Sequence, residues 1–347
     1  MGRARGEEMS TSILGDQTQH FYELTPEVID QALLRIGLKP SGRTFALNSL
    51  ENRVYEVEVS EVPEYEGPMS TESVIVKFYR PGRWSREALQ DEHRFLTELA
   101  SYEIPVIAPF SFKDETLFLD ETNHLFYAVF PKVRGRLKDE LTKEELPQIG
   151  RLTARIHNVG SMGVFKSRPK LHPQNHILAH LDFLENNAEL PRTMVKYYVD
   201  LARQMAQMLT PYFENLEYQR IHGDLHRGNI LWTSQGPYVV DFDDSVSGPR
   251  EQDLWLLLPG RDEYTLDERE KFLEGYHEMS KTQAHLSPFL VEVFRTQRMI
   301  HFNGWIARRY EDPSFKRFYP TFETDGYWEV QLQDLREQWS ILQDLQS

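Results

Sequence analysis

Residues 222–232, HGDLHRGNILW, and the apolar run YVVDF at 238–242 decide the fold. They place Asn229 five positions after Asp224, and they place Asp241 at the end of a predicted strand. A carboxylate can orient a hydroxyl group and accept its proton, and Asp224 is the candidate. Magnesium prefers hard oxygen ligands, which Asn229 and Asp241 supply. A polar hairpin would account for any one of these residues, but their combination predicts a reaction centre.

Protein kinases use the same spacing of aspartate, asparagine and strand-end aspartate. Two metal-site alternatives for this region are disfavoured. A calcium loop in DFDDSVSGPREQ would need glycine at its sixth position and glutamate at its twelfth, where Val246 and Gln252 stand. A transition-metal site at His222 and His226 lacks a third ligand, so we interpret both as histidines that brace the loop.

Lys77 lies within SVIVKFYR at 73–80, a predicted strand whose other residues are mostly β-branched or aromatic. A buried lysine must be paired, and Glu92 falls on the apolar face of the next predicted helix. Kinases pair a phosphate-binding lysine with a glutamate in this order. The alternatives are a lysine at the sheet edge that reaches water and a glutamate that faces solvent.

Familiar phosphate-binding motifs are missing from the chain. Neither GxxxxGK[ST] nor GxGxxG occurs, which excludes a Walker-type enzyme. The turn between the first two predicted strands reads NSLENR, where Asn48, Ser49 and Asn52 could donate hydrogen bonds to phosphate. A simple hairpin turn explains this segment equally well.

The order of predicted elements is typical of an α+β, two-lobed fold with a small N-lobe containing an antiparallel sheet and a larger, mainly helical C-lobe. Residues 1–20 are expected to form a flexible tail, 21–130 the nucleotide-binding N-lobe, and 131–347 the C-lobe with the catalytic loop and substrate site. Strands are predicted at 43–47, 53–59, 73–80, 116–119 and 125–130. Helices are predicted after Thr25, Ser85 and a Thr142–Glu145 capping box, and at 174–187, 192–213, 265–280, 288–310 and 326–345.

Composition restricts the class of protein. The absence of cysteine excludes disulfides, thiolate metal sites and a cysteine nucleophile, and it is compatible with a reducing cytoplasm. No apolar run is long enough to span a bilayer, so we expect no membrane partner and a cytoplasmic location. A net charge of −15 disfavours nucleic acid as a partner. We expect a monomer.

Lys77, Glu92, HGDLHRGN and VDFDD in this order resemble the aminoglycoside phosphotransferase and choline kinase branch of the protein kinase-like fold. Within that branch, NSLENRVYEV, VIVKFYRPGRWS, FYAVFPKVRGR and GPREQDLW resemble the bacterial stress response kinase A (YihE/RdoA) family. The resemblance extends from about residue 20 to residue 345. It implies a cytoplasmic serine/threonine protein kinase of the bacterial stress response that uses ATP and Mg²⁺.

The resemblance also implies roles for individual residues. Asp224 would be the proton acceptor, and Asn229 and Asp241 would hold magnesium, with Asp241 also counted as catalytic. The residues expected at the nucleotide are Ser49, Lys77, Glu92, Phe130 and Val133. The stretch from Phe130 to Val133 would be the hinge beside adenine. Asp253 would brace the catalytic loop.

The chain departs from ordinary protein kinases in one respect. Only eleven residues separate Asp241 from Asp253, which leaves no room for a long phosphorylatable activation loop. Two acceptor classes stay open from the sequence: a protein with a serine or threonine hydroxyl and, as the alternative, a small cationic metabolite such as an amino alcohol or aminoglycoside. The acidic composition suits a cationic substrate of either sort. A nucleotide-binding pseudokinase that serves as a scaffold is a third hypothesis.

Overall fold

Five antiparallel strands form the sheet of the N-lobe, in the spatial order β1-β2-β3-β5-β4. Their bounds are Pro40–Ala46 (β1), Arg53–Val59 (β2), Met69–Phe78 (β3), Phe118–Asp120 (β4) and Leu125–Val133 (β5). The protein is described by a computed structural model that covers residues 21–22, 24–65, 67–282 and 284–346. The predicted tail at 1–20 lies outside these residues. The proposed lobe border at residue 130 falls within β5.

One face of this sheet is covered by helix α1, Pro26–Arg35. Val57, Val74, Val76 and Phe78 are completely buried in this layer, because alternate strand residues point to the same face. The helix begins with proline after Thr25 as predicted, but the Thr25 side chain makes no capping hydrogen bond. Helix α1 thereby covers one face of the sheet, whereas residues of the other face line a cavity.

Helix α2, Arg86–Ser101, packs next to the opposite side of the sheet. Its start is confirmed, since the Ser85 hydroxyl accepts a hydrogen bond of 3.2 Å from the Ala88 N–H. The apolar stripe is also confirmed, and Glu92 lies within it at 1% exposure. Farther along, Leu96 joins the core of the C-lobe, so α2 connects the two lobes.

The C-lobe is mainly helical, as predicted. Its helices are Glu145–Gly160 (α3), Ala179–Asn186 (α4), Arg192–Glu214 (α5), Glu251–Leu256 (α6), Glu263–Met279 (α7), Pro288–Ala307 (α8), Pro313–Phe318 (α9) and Asp325–Gln346 (α10). Buried side chains of α5, α8 and α10 share one core, and α3 and α7 pack in another. None of the helices in the described part of the chain combines the length and the apolar character needed to cross a bilayer.

Three local predictions for the C-lobe need correction. The segment expected as one helix at 174–187 opens with a π-helical turn, Gln174–Leu178, before α4. At α3 the N-cap is Glu144 and not Thr142, and only half of the predicted capping box forms, the hydrogen bond of 3.0 Å from the Thr142 N–H to Glu145. The short helix α9 was not predicted, although its Asp312 cap followed by proline is a start signal.

Two short antiparallel pairs of strands lie next to the predicted reaction centre at Asp224, Asn229 and Asp241. β6 (Gln219–Ile221) pairs with β9 (Val246–Gly248), and β7 (Ile230–Thr233) pairs with β8 (Gly236–Val239), both antiparallel. The HGD segment leaves β6, and the asparagine of the motif immediately precedes β7. Asp241 follows β8 by two residues. Because of this pairing, the HGD segment, Asn229 and Asp241 lie at the same end of the two strand pairs.

Candidate active site

Asp253 binds the backbone of the loop at residues 222–229. Its carboxylate is completely buried and accepts hydrogen bonds from the backbone N–H groups of His222, at 2.9 Å, and Gly223, at 2.8 Å. His157 Nε2 lies 3.1 Å from the same carboxylate. Gly223 has a φ of +85°, and a Cβ there would lie 2.3 Å from the carbonyl oxygen of Asp244. Asp253 and this glycine together fix the loop conformation.

The two histidines of the motif contact backbone atoms. His222 Nε2 lies 2.9 Å from the carbonyl oxygen of Val240, and His226 Nδ1 accepts a hydrogen bond of 3.0 Å from the Gly228 N–H. Both contacts agree with loop-bracing roles. The described residues contain no group of three or more histidine, aspartate or glutamate side chains arranged to hold a metal ion.

Asn229 and Asp241 lie beside Asp224 in the folded chain. Asn229 donates its amide nitrogen to the Asp224 carbonyl at 2.9 Å, so its amide oxygen is left for another partner. A backbone hydrogen bond of 3.0 Å from Val240 to Asn229 ties the two segments together. Asp241 has a left-handed backbone, with φ +60°, and its side chain is 57% exposed. Such strain at an exposed carboxylate is typical of functional sites.

Lys77 connects the N-lobe sheet to this centre. Its ammonium nitrogen lies 3.3 Å from Asp241, 3.3 Å from Asp243 and 3.8 Å from Glu92. Burial disfavours the charged amine, but the three carboxylates outweigh it and raise the pKa of Lys77 well above its usual value. The predicted pair with Glu92 is present, although Glu92 has a closer partner in Arg168, at 2.6 Å.

These residues line one cavity of about 720 Å³ between the lobes. Of the predicted residues, it is lined by Asp224, Asn229, Asp241, Lys77, Glu92, Ser49 and Phe130. Val133, at the end of β5, is not among its lining residues. Apolar side chains from the sheet, α2 and the segment after α2 cover part of the wall: Val54, Ile75, Leu96, Ile107 and Phe130. The volume suits a ligand of nucleotide size.

Sequence reasoning missed two polar residues next to Lys77. Asp243, only 2% exposed, accepts a hydrogen bond of 3.1 Å from Asn52 of the first turn. Arg83 pairs with both Asp243 and Asp244. The acidic run DFDD was a visible signal for Asp243. Arg83 gave no signal, because it reaches its partners across about 160 residues.

Asp224 itself is already paired. Arg298 of α8 contacts one carboxylate oxygen at 2.6 Å, and His226 lies 3.4 Å from the other. Burial would raise the pKa of Asp224, but the hydrogen bond from His226 and the charge of Arg298 lower it below the usual range. Asp224 is therefore ionised at neutral pH, as a proton acceptor must be.

Residues 44–288 match a known family, the phosphotransferase enzyme family. Stress response kinase A of Salmonella paratyphi A is 32% identical over 333 residues, which cover 95% of this chain and 97% of that protein. The serine/threonine protein kinase RdoA of Salmonella typhimurium is also 32% identical, with the same coverage. The chain belongs to the stress response kinase A family of phosphotransferases. It is accordingly a kinase.

A solved structure supports the same fold. The amicoumacin kinase in complex with AMP-PNP, Ca²⁺ and amicoumacin superposes with a TM-score of 0.65 at 20% identity, over 86% of this chain and 92% of that one. The two-lobed, kinase-like α+β fold expected from the sequence is thereby confirmed. Within a phosphotransferase of this family, the cavity that joins Lys77 to Asp224 is the candidate active site.

Proposed function

We propose that this chain is an ATP- and Mg²⁺-dependent serine/threonine protein kinase that acts in a bacterial stress response in the cytoplasm. The observation that carries the proposal is one cavity bounded by Lys77, Asp224, Asn229 and Asp241. The names of the relatives support a protein acceptor and a stress role. The cavity supplies a site for nucleotide and acceptor together.

The residues present fit the implied nucleotide and metal. Asn229 and Asp241 offer the hard oxygen atoms that Mg²⁺ prefers, and Lys77 offers a protonated amine for phosphate. Ser49 would contact phosphate from the turn after β1, and Phe130 would lie beside the adenine. ATP would supply the phosphoryl group, and Mg²⁺ would offset the charge of its phosphates.

Asp224 carries out the proton transfer in the proposed reaction. It orients the acceptor hydroxyl and accepts its proton. The hydroxyl oxygen forms a bond to the γ-phosphorus while the bond from that phosphorus to the β,γ-bridging oxygen breaks. ADP leaves with the electron pair of that bond, and the acceptor becomes a phosphate monoester.

A small-molecule kinase is a second candidate. The observation in its favour is that helical residues line part of the cavity, where His176 of the π-helical turn and His180 of α4 lie against His301 of α8. Ring centroids of His180 and His301 are 4.7 Å apart. A wall closed by helices suits a small acceptor or a single protruding side chain.

Transfer of labelled phosphate from ATP to proteins and to hydroxyl-bearing metabolites tests the proposal. We expect Asp224→Asn to lower kcat by about 10²-fold or more while ATP binding is retained. The exposed Asp200 of α5 provides a matched control, because Asp200→Asn removes a carboxylate that pairs only at the surface with Lys196. Transfer to metabolites alone would contradict the protein-kinase proposal. Nucleotide binding with equal, negligible transfer by the wild type and Asp224→Asn would support a pseudokinase scaffold.

A further inference from the structure

One wall of the cavity comes from helix α8. Arg298, His301, Phe302 and Trp305 recur at helical spacing and all line the cavity, and we call them the α8 wall. The wall begins at Asp224, which Arg298 contacts. It ends near the turn after β1, where the Trp305 indole donates a hydrogen bond of 2.8 Å to Glu51. An acceptor bound at Asp224 would therefore lie next to this wall.

Arg298 is the exposed cation of the α8 wall. Its side chain is 41% exposed, and in the described residues Asp224 is the carboxylate within ion-pair distance of it. With His226 on the second oxygen, both oxygens of Asp224 have partners. Each oxygen can accept a further hydrogen bond, but a hydroxyl group has one oxygen of Asp224 to itself only if one of these partners moves. Arg298 is the better placed to move, because it is long, flexible and partly solvated.

The other carboxylates near the wall are neutralised by arginine. Glu51 accepts hydrogen bonds from Arg309 at 2.8 and 3.1 Å, and it also lies 3.4 Å from Arg80 and from Arg83. Asp244 pairs with Arg83. A cationic acceptor would therefore meet carboxylates that already have cationic partners, and it would also meet the positive charge of Arg298 beside Asp224.

Neutral histidines form the rest of this region. His180 Nε2 lies 3.1 Å from His301 Nδ1, and the ring of His176 lies 5.4 Å from that of His301. Burial, followed by neighbouring histidines and arginines, lowers the pKa of His180 and His301 well below the usual value, and burial lowers that of His176 to about 4. These rings offer hydrogen bonds and no negative charge.

We infer that the acceptor carries a carboxylate or phosphate group close to its reacting hydroxyl, and that Arg298 leaves Asp224 to bind that anion. This inference rests on the proposed phosphotransfer and names its acceptor class. The exchange replaces one charge-assisted hydrogen bond by another. It also frees one oxygen of Asp224 for the hydroxyl, which loses its proton to that oxygen as its oxygen bonds to the γ-phosphorus and ADP leaves.

The inference reverses the expectation of a cationic metabolite that the net charge of −15 suggested. Net charge describes the whole surface, whereas an acceptor responds to the few groups within a Debye length of the reacting atoms. At this wall, the exposed group is an arginine. Arg298 is thus assigned as the residue that selects the acceptor.

Matched acceptors test the inference with the wild-type chain, ATP and Mg²⁺. One arm uses peptides with a single serine or threonine flanked by acidic, neutral or basic residues. The other uses small hydroxy acids and phosphorylated alcohols against amino alcohols of similar size. We expect the anionic member of a set to have the highest kcat/KM, and the arm in which this occurs identifies the source of the anion. No transfer to any acceptor would overturn the proposed function and this inference together, whereas transfer with a neutral or cationic preference would overturn this inference alone.

Variants of Arg298 supply a second readout. Arg298→Gln should raise the KM for the anionic acceptor roughly 10- to 100-fold, as expected for loss of a hydrogen bond to a charged group, and leave the KM for ATP unchanged. Arg298→Lys should restore part of the loss, and Arg298→Glu should shift preference to the cationic acceptor. Arg336→Gln, at an exposed position of α10, is the control. A rise in the KM for ATP with no change in acceptor preference would overturn the inference, because Arg298 would then serve the nucleotide.

Discussion

Lys77 and Arg168 both contact the buried carboxylate of Glu92, but they differ in their other partners. Lys77 also contacts Asp241, whose side chain is largely exposed at the cavity. Arg168 has a completely buried side chain and donates to the carbonyl of Ala88 at 2.8 Å, besides its 2.6 Å contact with Glu92. The lysine therefore faces the proposed phosphate site, whereas the arginine lies inside the protein.

Substitution of these two cations by methionine should separate activity from stability. We expect Lys77→Met to lower the transfer rate strongly and the free energy of unfolding by only about 1 kcal/mol, since Glu92 keeps its arginine. Arg168→Met should cost roughly 3 to 5 kcal/mol, because it leaves Glu92 with its distant partner alone. Urea unfolding and transfer assays on both variants measure the two effects.

The test depends on the difference between the two variants in unfolding midpoint and in transfer activity. An unfolding midpoint that falls as far in Lys77→Met as in Arg168→Met would show that the lysine is the main partner of Glu92. Full transfer activity in Lys77→Met would remove the lysine from the nucleotide site.

The loop at 222–229, the proposed catalytic loop, is held by side chains from outside it. Asp253 on α6 accepts two backbone hydrogen bonds from the loop, at His222 and Gly223. In asparagine, an NH₂ group replaces one of the two carboxylate oxygens. This group cannot accept the backbone hydrogen bond that the oxygen accepted. The loop would then have an unsatisfied, buried N–H group.

We expect Asp253→Asn to destabilise the loop by about 1 to 3 kcal/mol for each N–H left unsatisfied and to lower kcat. Hydrogen exchange should accelerate at the amides of His222 and Gly223, and kcat should fall without a matching rise in the KM for ATP. Asp262→Asn is the matched control, since Asp262 caps the exposed start of α7. Unchanged exchange at the two amides would contradict the bracing role.

Elements with local signals could be predicted from the sequence. β2 was predicted with its observed bounds, and α2 with its Ser85 cap, because alternation and capping depend on neighbours in the chain. β5 extends three residues beyond its predicted end at 130, because pairing with β3 continues as far as Val133 with Met69. Tertiary pairing of this kind is not encoded in any short window.

The candidate site likewise contains residues that could be predicted from the sequence and residues that could not. Asp224, Asn229 and Asp241 could be proposed because their spacing within one segment of 18 residues is itself the signal. Arg298 could not, since it meets Asp224 across 74 residues from a helix whose pattern shows nothing unusual.

Three ion pairs join the lobes on the side of α8 and α9. Glu51, in the turn after β1, binds Arg309 at the end of α8. The buried Asp312 accepts hydrogen bonds of 2.8 Å from both Arg53 of β2 and Arg80 beyond β3. These contacts connect the turn after β1 and the sheet to α8 and α9. We expect the lobes to separate less readily than a hinge at β5 alone would allow.

We expect this connection to depend on pH through Glu51. Burial would raise its pKa, but Arg309, Arg83 and Arg80 outweigh burial and lower the pKa from 4.5 to about 2. A carboxyl with a lowered folded-state pKa stabilises the protein above its unfolded pKa and loses that contribution as pH falls. The contribution is on the order of 3 kcal/mol at neutral pH.

Comparison of the wild type with Glu51→Gln should reveal this contribution. The difference in unfolding free energy between the two should be constant above about pH 5.5, lose about a quarter of its value by pH 4, and lose more than half by pH 3. Urea unfolding at these pH values measures it, with the exposed Glu329→Gln of α10 as the control that should show no such trend. A difference that stays constant down to pH 3 would mean that Glu51 is not held by its arginines. Since those arginines reach Glu51 from both lobes, the same result would remove the turn after β1 from the connection between the sheet and α8.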